Sequence, residues 1–143
     1  MKDKFKNNNN QNLLSLNYKI EIPEKGNFFI SSYNNKYITV NKIKFYLPLC
    51  LLGKQFYDLK IKNILMISSN FLNDLLNEFL NRNKVNAEVI LIGLTNYDFQ
   101  SLLPLKKKCE NEKIPIDIMK YDAVCRTINI LNSENRNIIS ILV

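Results

Sequence analysis

The stretch Asp122-Ala123-Val124-Cys125-Arg126-Thr127-Ile128-Asn129-Ile130-Leu131-Asn132-Ser133-Glu134-Asn135-Arg136 decides how this chain is read, because its periodicity is that of one amphipathic helix. Asp122 is placed to act as N-cap, its carboxylate accepting from the open N–H groups of the first turn. At roughly 100° per residue, Val124, Thr127, Ile128 and Leu131 share one face, while Arg126, Asn129, Ser133 and Arg136 line the other. The run is expected to pack on one side and present donors on the other. Glu134 falls on the packed side and needs a partner there, since an unpaired buried carboxylate is costly. Asn135 tolerates the left-handed conformation that ends a helix.

Working upstream, apolar strands alternate with helical segments. Ile61–Ile67 reads as a strand running into Ser68-Ser69-Asn70, any of which can cap the helix spaced by Phe71, Leu72, Leu75, Leu76, Phe79 and Leu80. A buried strand is expected over Glu88–Leu94, then a short helix opening at Pro104, a strand over Ile116–Met119, the helix above and a last strand over Ile138–Val143. The first third reads as antiparallel strands: Tyr18–Ile22, Phe28–Ser32, then Tyr37–Val40 and Ile43–Tyr46 joined at Asn41-Lys42. The fold class that follows is α/β: three layers, a mostly parallel mixed sheet covered by helices, with an N-terminal antiparallel β unit. Residues 1–12 read as a disordered Asn/Lys tail and residues 13–143 as one domain.

Composition removes more chemistry than it adds. The 143 residues contain no histidine, so Ser-His-Asp or Cys-His nucleophile activation and imidazole metal ligation are excluded. Cys50, Cys109 and Cys125 are widely spaced, which fits neither a disulfide framework nor a zinc site and points to reduced thiols inside a cell. Cys125 has two readings: a thiol activated near a helix start beside Arg126, or a small buried residue. No metal site and no cofactor are expected, because three glycines cannot build a nucleotide cradle. The net charge of +7 comes almost wholly from Lys, only Arg82, Arg126 and Arg136 being Arg, and this disfavours nucleic acid as partner. The sequence contains no stretch of about 20 apolar residues that would make a transmembrane segment. A bacterial cytoplasm is the expected location, since Met1–Lys6 lacks the features of a secretory signal or mitochondrial presequence.

Met119, Ala123, Cys125-Arg126-Thr127, Asn129, Leu131, Glu134 and Arg136, followed by an apolar last strand, resemble the closing signature of a small, mostly uncharacterised domain family. Its best-known type is the mitochondrial NADH dehydrogenase (complex I) assembly factor 3. The likeness runs back through Ile114–Met119, Val89–Gly93 and Tyr37–Asn41 and covers most of the chain. It departs from the family pattern at Leu94-Thr95 and Asn135, where relatives usually place glycine, and at Ile128, where they place an aromatic. The resemblance implies the same α/β fold and a non-enzymatic protein-interaction or assembly role. Its implied partner is another protein, such as a membrane-complex subunit or assembly factor, or a second copy of the chain; a mitochondrial location would follow only by analogy.

Ligands of open α/β sheets sit beyond the carboxyl ends of the strands. The candidate cleft is therefore Thr95, Asn96, Asp122, Arg126, Thr127, Asn129 and Ser133. One reading makes Arg126 the anchor of a small anionic ligand or substrate. The other has Arg126 pairing within the fold and Thr127 bonding back to the preceding turn.

Overall fold

A computed structural model describes residues 13–19 and 28–143. The tail expected over residues 1–12 lies outside them, as do residues 20–22 of the strand expected over Tyr18–Ile22. In chain order the elements are β1 (Leu14–Lys19), β2 (Ser32–Tyr33), β3 (Tyr37–Val40), β4 (Ile43–Tyr46), β5 (Leu49–Leu52), β6 (Gln55–Leu59), α1 (Ser69–Asn83), β7 (Val89–Leu94), α2 (Leu103–Asn111), β8 (Ile116–Lys120), α3 (Tyr121–Ser133) and β9 (Ile138–Leu142). Short 3₁₀ turns at Ile64–Met66 and Gln100–Leu102 precede α1 and α2.

Six strands form one mixed sheet in the order β1-β6-β5-β9-β7-β8, and β2-β3-β4 form a second, smaller one. All five residues of β9 are buried, because this strand lies mid-sheet with both faces covered. On one face, Phe71, Leu72, Leu75 and Phe79 of α1 and Cys109 of α2 join Ile90, Ile92, Ile139 and Ile141 in a single apolar cluster. On the other, Val124, Cys125 and Ile128 of α3 and Ile38, Val40 and Phe45 of the small sheet pack with Leu49, Leu51, Leu91 and Leu142. The result is the expected three-layer α/β arrangement, with the small antiparallel sheet sharing a layer with α3.

The balance of strand directions differs from the sequence expectation. β5 pairs antiparallel with both β6 and β9, and β1 with β6, whereas only β9/β7 and β7/β8 are parallel. The reason lies at Ile61–Ile67, which is not a strand. Its sheet position is taken by the β5–β6 hairpin, which turns at Gly53 (φ +58°), and the Asn63 side chain accepts from the Leu65 N–H at 2.9 Å to fold the segment into a turn. Phe28–Ser31 is likewise not a strand, the ladder beginning only at Ser32.

Local signals otherwise act as read. Ser68 caps α1, its hydroxyl accepting from the Phe71 N–H at 3.1 Å, and Lys84 ends the helix in the left-handed conformation. Asn41 and Lys42 both take positive φ, 54° and 65°, the geometry of a tight hairpin turn between β3 and β4.

Candidate functional site

Helix α3 starts two residues earlier than the sequence suggests. Lys120 takes the N-cap position without a side-chain bond, because β8 runs straight into the helix, and Asp122 sits inside the first turn. There its carboxylate still faces the positive end of the helix, accepting from the Ala123 N–H at 2.9 Å. The buried stripe is Tyr121, Val124, Cys125, Ile128 and Asn132, while Thr127 and Leu131 are only half-buried. Gly93 lets α3 approach this closely: a Cβ there would lie 3.0 Å from the Val124 Cβ and 3.3 Å from a Leu142 methyl.

β7 and β8 are parallel neighbours, Gly93 opposite Met119 and Leu94 opposite Lys120, so their carboxyl ends open on the same side. The hollow there, about 360 Å³, is lined by Asn35, Leu94, Thr95, Tyr97, Lys120, Tyr121 and Asp122. Of the seven candidate cleft residues it brings together Thr95 and Asp122. Asn96 is exposed in the following loop, and Arg126, Thr127, Asn129 and Ser133 lie outside the lining.

Each of those four has a definite engagement. The Arg126 guanidinium lies 3.3 Å from the Asp122 carboxylate, both side chains more than half exposed. Its pKa is raised, first by a hydrogen bond to the Tyr33 hydroxyl and then by Asp122. The same bond from Arg126 holds the Asp122 carboxyl below its ordinary range. Thr127 donates its hydroxyl to the Ala123 carbonyl at 2.8 Å, and Ser133 donates to the Ile130 carbonyl at 2.6 Å. Asn129, expected on the open face, accepts from the Ile30 N–H at 2.8 Å and donates to the Ile30 carbonyl at 3.0 Å.

Glu134, expected on the packed side, is exposed beyond the end of α3 and lies 3.5 Å from Arg136, whose Nε donates to Glu88 at 2.6 Å. Burial pushes the Cys125 thiol up to about 12, so the activated reading of that residue gives way to the buried one. Tyr121 donates to the Tyr37 carbonyl at 3.1 Å, its ring edge-on to Tyr33 with centroids 5.9 Å apart, and burial raises its pKa.

Sequence reasoning missed Asn132 and the tyrosines. Asn132 is buried and donates to the Phe28 carbonyl at 3.2 Å, so α3 grips Phe28 and Ile30 with two amides. The signal was available: Asn132 continues the Val124–Ile128 stripe at helical spacing, and a polar residue on a packed stripe needs a partner. A larger hollow of about 610 Å³, between the ends of α1 and α3 and the β5–β6 turn, is lined among others by Lys54, Arg82, Asn132 and Arg136. Its guanidinium groups are engaged with carboxylates, Arg82 with Glu78 at 3.4 Å and Arg136 with Glu88. Among the described residues no cluster of His, Cys, Asp and Glu could hold a metal ion, and no helix is long and apolar enough to cross a membrane.

A family model described as "Protein of unknown function (DUF498/DUF598)" matches residues 30–143, a span from the residue that Asn129 clamps through β9. The chain belongs to this family. No curated protein matches the sequence. Among solved structures, a protein of Bartonella henselae described as an outer membrane protein is similar at 20% identity and TM-score 0.57, over 82% of this chain and 94% of that one. A Bordetella parapertussis protein is similar at 20% identity and TM-score 0.57, over 85% and 98% of the two chains. A Mth938-like domain of Bordetella pertussis is similar at 20% identity and TM-score 0.56, over 88% and 92%. These likenesses establish the shared fold. The family's description leaves the molecular activity unassigned.

Proposed function

We propose that residues 13–143 form a non-enzymatic protein-interaction module of the assembly-factor kind, working through the end of α3 that carries Asp122 and Arg126. The observation that carries this reading is what happens to the cleft's polar side chains. Thr127, Asn129 and Ser133 spend their hydrogen bonds on the protein's own backbone, and Cys125 is buried, so nucleophile and donor groups are committed to the fold. What faces outward is Arg126 with Tyr33, and Tyr97 at 43% exposed. Tyr and Arg are the side chains over-represented at protein interfaces, where they bring large contact area at low entropic cost.

The resemblance to the complex I assembly factor 3 type supports a partner that is a membrane-complex subunit or another assembly factor, with self-association as the other form of the same reading. The reading places the protein in the cytoplasm of a bacterium. Size-exclusion chromatography with light scattering, followed by pull-down from the native host, tests it: a dimer or a defined heteromeric complex is the expected result. A monomer that recovers no partner counts against it. The reading of Arg126 as anchor of a small anionic ligand finds less support, because the guanidinium lies outside the hollow's lining and already faces Asp122. A metabolite-induced rise in melting temperature, lost in Arg126→Ala, would revive it.

A further inference from the structure

From Phe28 to Tyr57 the chain carries Lys36, Lys42, Lys44 and Lys54 and not one Asp or Glu. This stretch builds the small sheet. Its register sets which side chains share a face, since residues opposite one another in an antiparallel pair point the same way. Ile38 faces Phe45 and both are buried, packed toward α3. Tyr37 faces Tyr46 and Thr39 faces Lys44, so these four lie on the other, outward side.

A purely solvated face has no use for two aromatic rings. Here Tyr46 is 55% exposed, its ring edge-on to Tyr37 with centroids 5.3 Å apart, and the Lys44 ammonium sits 4.8 Å from the centroid of the Tyr37 ring. The pair forms an ordered aromatic step held by a cation. Lys36 lies in the turn at one end of β3 and Lys42 in the turn at the other, both exposed. The face is thus a tyrosine step that carries the Lys44 ammonium, with two further exposed lysines in the turns at the ends of β3.

We propose that this outward face of β3 and β4 docks an acidic segment of the partner protein, its carboxylates meeting Lys36, Lys42 and Lys44 and its aliphatic side chains covering Tyr46. The proposal rests on the protein-interaction reading and adds to the α3 end a second surface, on the small sheet, with the chemistry of what it takes. Charge complementarity selects the partner, because an acid-free run of this length repels basic surfaces and steers acidic ones. Single-stranded nucleic acid would also seek aromatics beside lysines, but it needs an open ring face for a base to stack on. Lys44 occupies one face of Tyr37 and Tyr46 abuts the same ring, which leaves Tyr46 as a single open ring where successive bases need several to stack on, so the geometry favours carboxylates over bases.

The test is fluorescence polarisation of the full chain against three labelled probes: a Glu-rich peptide with interspersed Leu, its Gln-for-Glu counterpart, and an oligothymidylate. The expected result is binding of the Glu peptide that weakens as salt rises and falls about tenfold or more in Lys44→Gln/Tyr46→Ala, as for central interface residues. Lys44→Glu, which keeps both tyrosine rings and reverses the charge beside Tyr37, gives the same loss. Lys106→Gln on α2 removes one positive charge elsewhere and leaves binding unchanged. The proposal is overturned if the Glu peptide fails to bind, if the Gln peptide binds as well, if the oligonucleotide binds more tightly, or if Lys106→Gln weakens binding as much as Lys44→Glu. In the native-host pull-down, loss of the partner on Lys44→Glu supports the assignment. Unchanged recovery sinks this face and leaves the interaction reading standing, while a wild-type chain that recovers nothing sinks both.

Discussion

The Asn129 side chain closes a two-point hydrogen bond on the backbone of Ile30, accepting its N–H at 2.8 Å and donating to its carbonyl at 3.0 Å across 99 residues of sequence. An amide presents the same donor and acceptor pair as a neighbouring strand, so at Ile30 Asn129 stands in for the ladder that begins farther along at Ser32. Asn129→Ala leaves both groups of a buried residue unpaired. The expected cost is about 1–3 kcal/mol, read as a lower urea midpoint at unchanged m-value; a midpoint within error of wild type would show that water replaces the amide without loss.

Gly93 and Val124 are the point of closest approach between the sheet and α3. In Gly93→Ala the new methyl meets Val124 at 3.0–3.1 Å and Leu142 at 3.3 Å, tighter than side chains pack. Overpacking of this kind costs about 1–3 kcal/mol. The Gly93→Ala/Val124→Ala double variant should be less destabilised than the sum of the two singles, because truncating Val124 removes its Cγ2 contact at 3.1 Å and leaves only the Cβ contact at 3.0 Å and the Leu142 methyl to be relieved. Strict additivity in thermal unfolding would contradict the contact.

Glu88 ties the start of β7 to the end of α3. The Asn137 N–H and the Arg136 guanidinium both bond its carboxylate and hold its pKa below the ordinary glutamate value. A folded-state pKa below the unfolded one means the stabilisation is fully present above the unfolded value and is lost as pH falls through the folded one. Glu88→Gln should therefore flatten the acid side of the stability curve below about pH 4.5, the ordinary carboxylate range, while changing nothing in its shape near neutrality. NMR titration of the Glu88 carboxyl gives the direct reading; a midpoint at or above the free-glutamate value would refute it.

All three thiols are buried, and burial raises the pKa of each. With so little thiolate at neutral pH, a thiol reagent should label the native protein only as fast as it opens, and label three cysteines at once in denaturant. Rapid native labelling at Cys125 would restore the reactive reading of that residue.

Arg126 reaches only exposed partners, Asp122 on its own helix and the Tyr33 hydroxyl. Pairs of this kind add little to stability. Arg126→Ala should melt at nearly the wild-type temperature and yet lose partner recovery in pull-down; an unfolded variant would place Arg126 in the scaffold instead.

Much of the architecture was legible because it is written in local patterns. The α1 spacing from Phe71 to Leu80, the Ser68 cap, the Asn41-Lys42 turn, the apolar run of β7 and that of β9, interrupted by Ser140, each report a short-range preference. Ile61–Ile67 misled for the same reason: an apolar run of that length suits a strand or a packed turn, and only the Asn63 bond and the place of β5 and β6 beside β9 in the sheet choose between them. The site was read less fully. Helical rotation placed Arg126 and Ser133 outward, but a two-residue shift in the start of α3 moved Asp122 off the cap, and the engagement of Asn129 lies 99 residues away.

By itself the sequence determined the three helices and the strands β3, β4, β7, β8 and β9, the alternation that makes an α/β layer fold, and the lack of any histidine-based chemistry, since each depends on residues close in the chain or simply present or absent. Only the tertiary structure decided that the β5–β6 hairpin joins β9 to make the sheet mostly antiparallel, that Asn129 and Asn132 serve the fold, and that Tyr37 and Tyr46 meet on an outward face beside Lys44. Those outcomes hang on pairings between distant segments, where many alternatives satisfy the same local preferences and shape and hydrogen-bond complementarity select one.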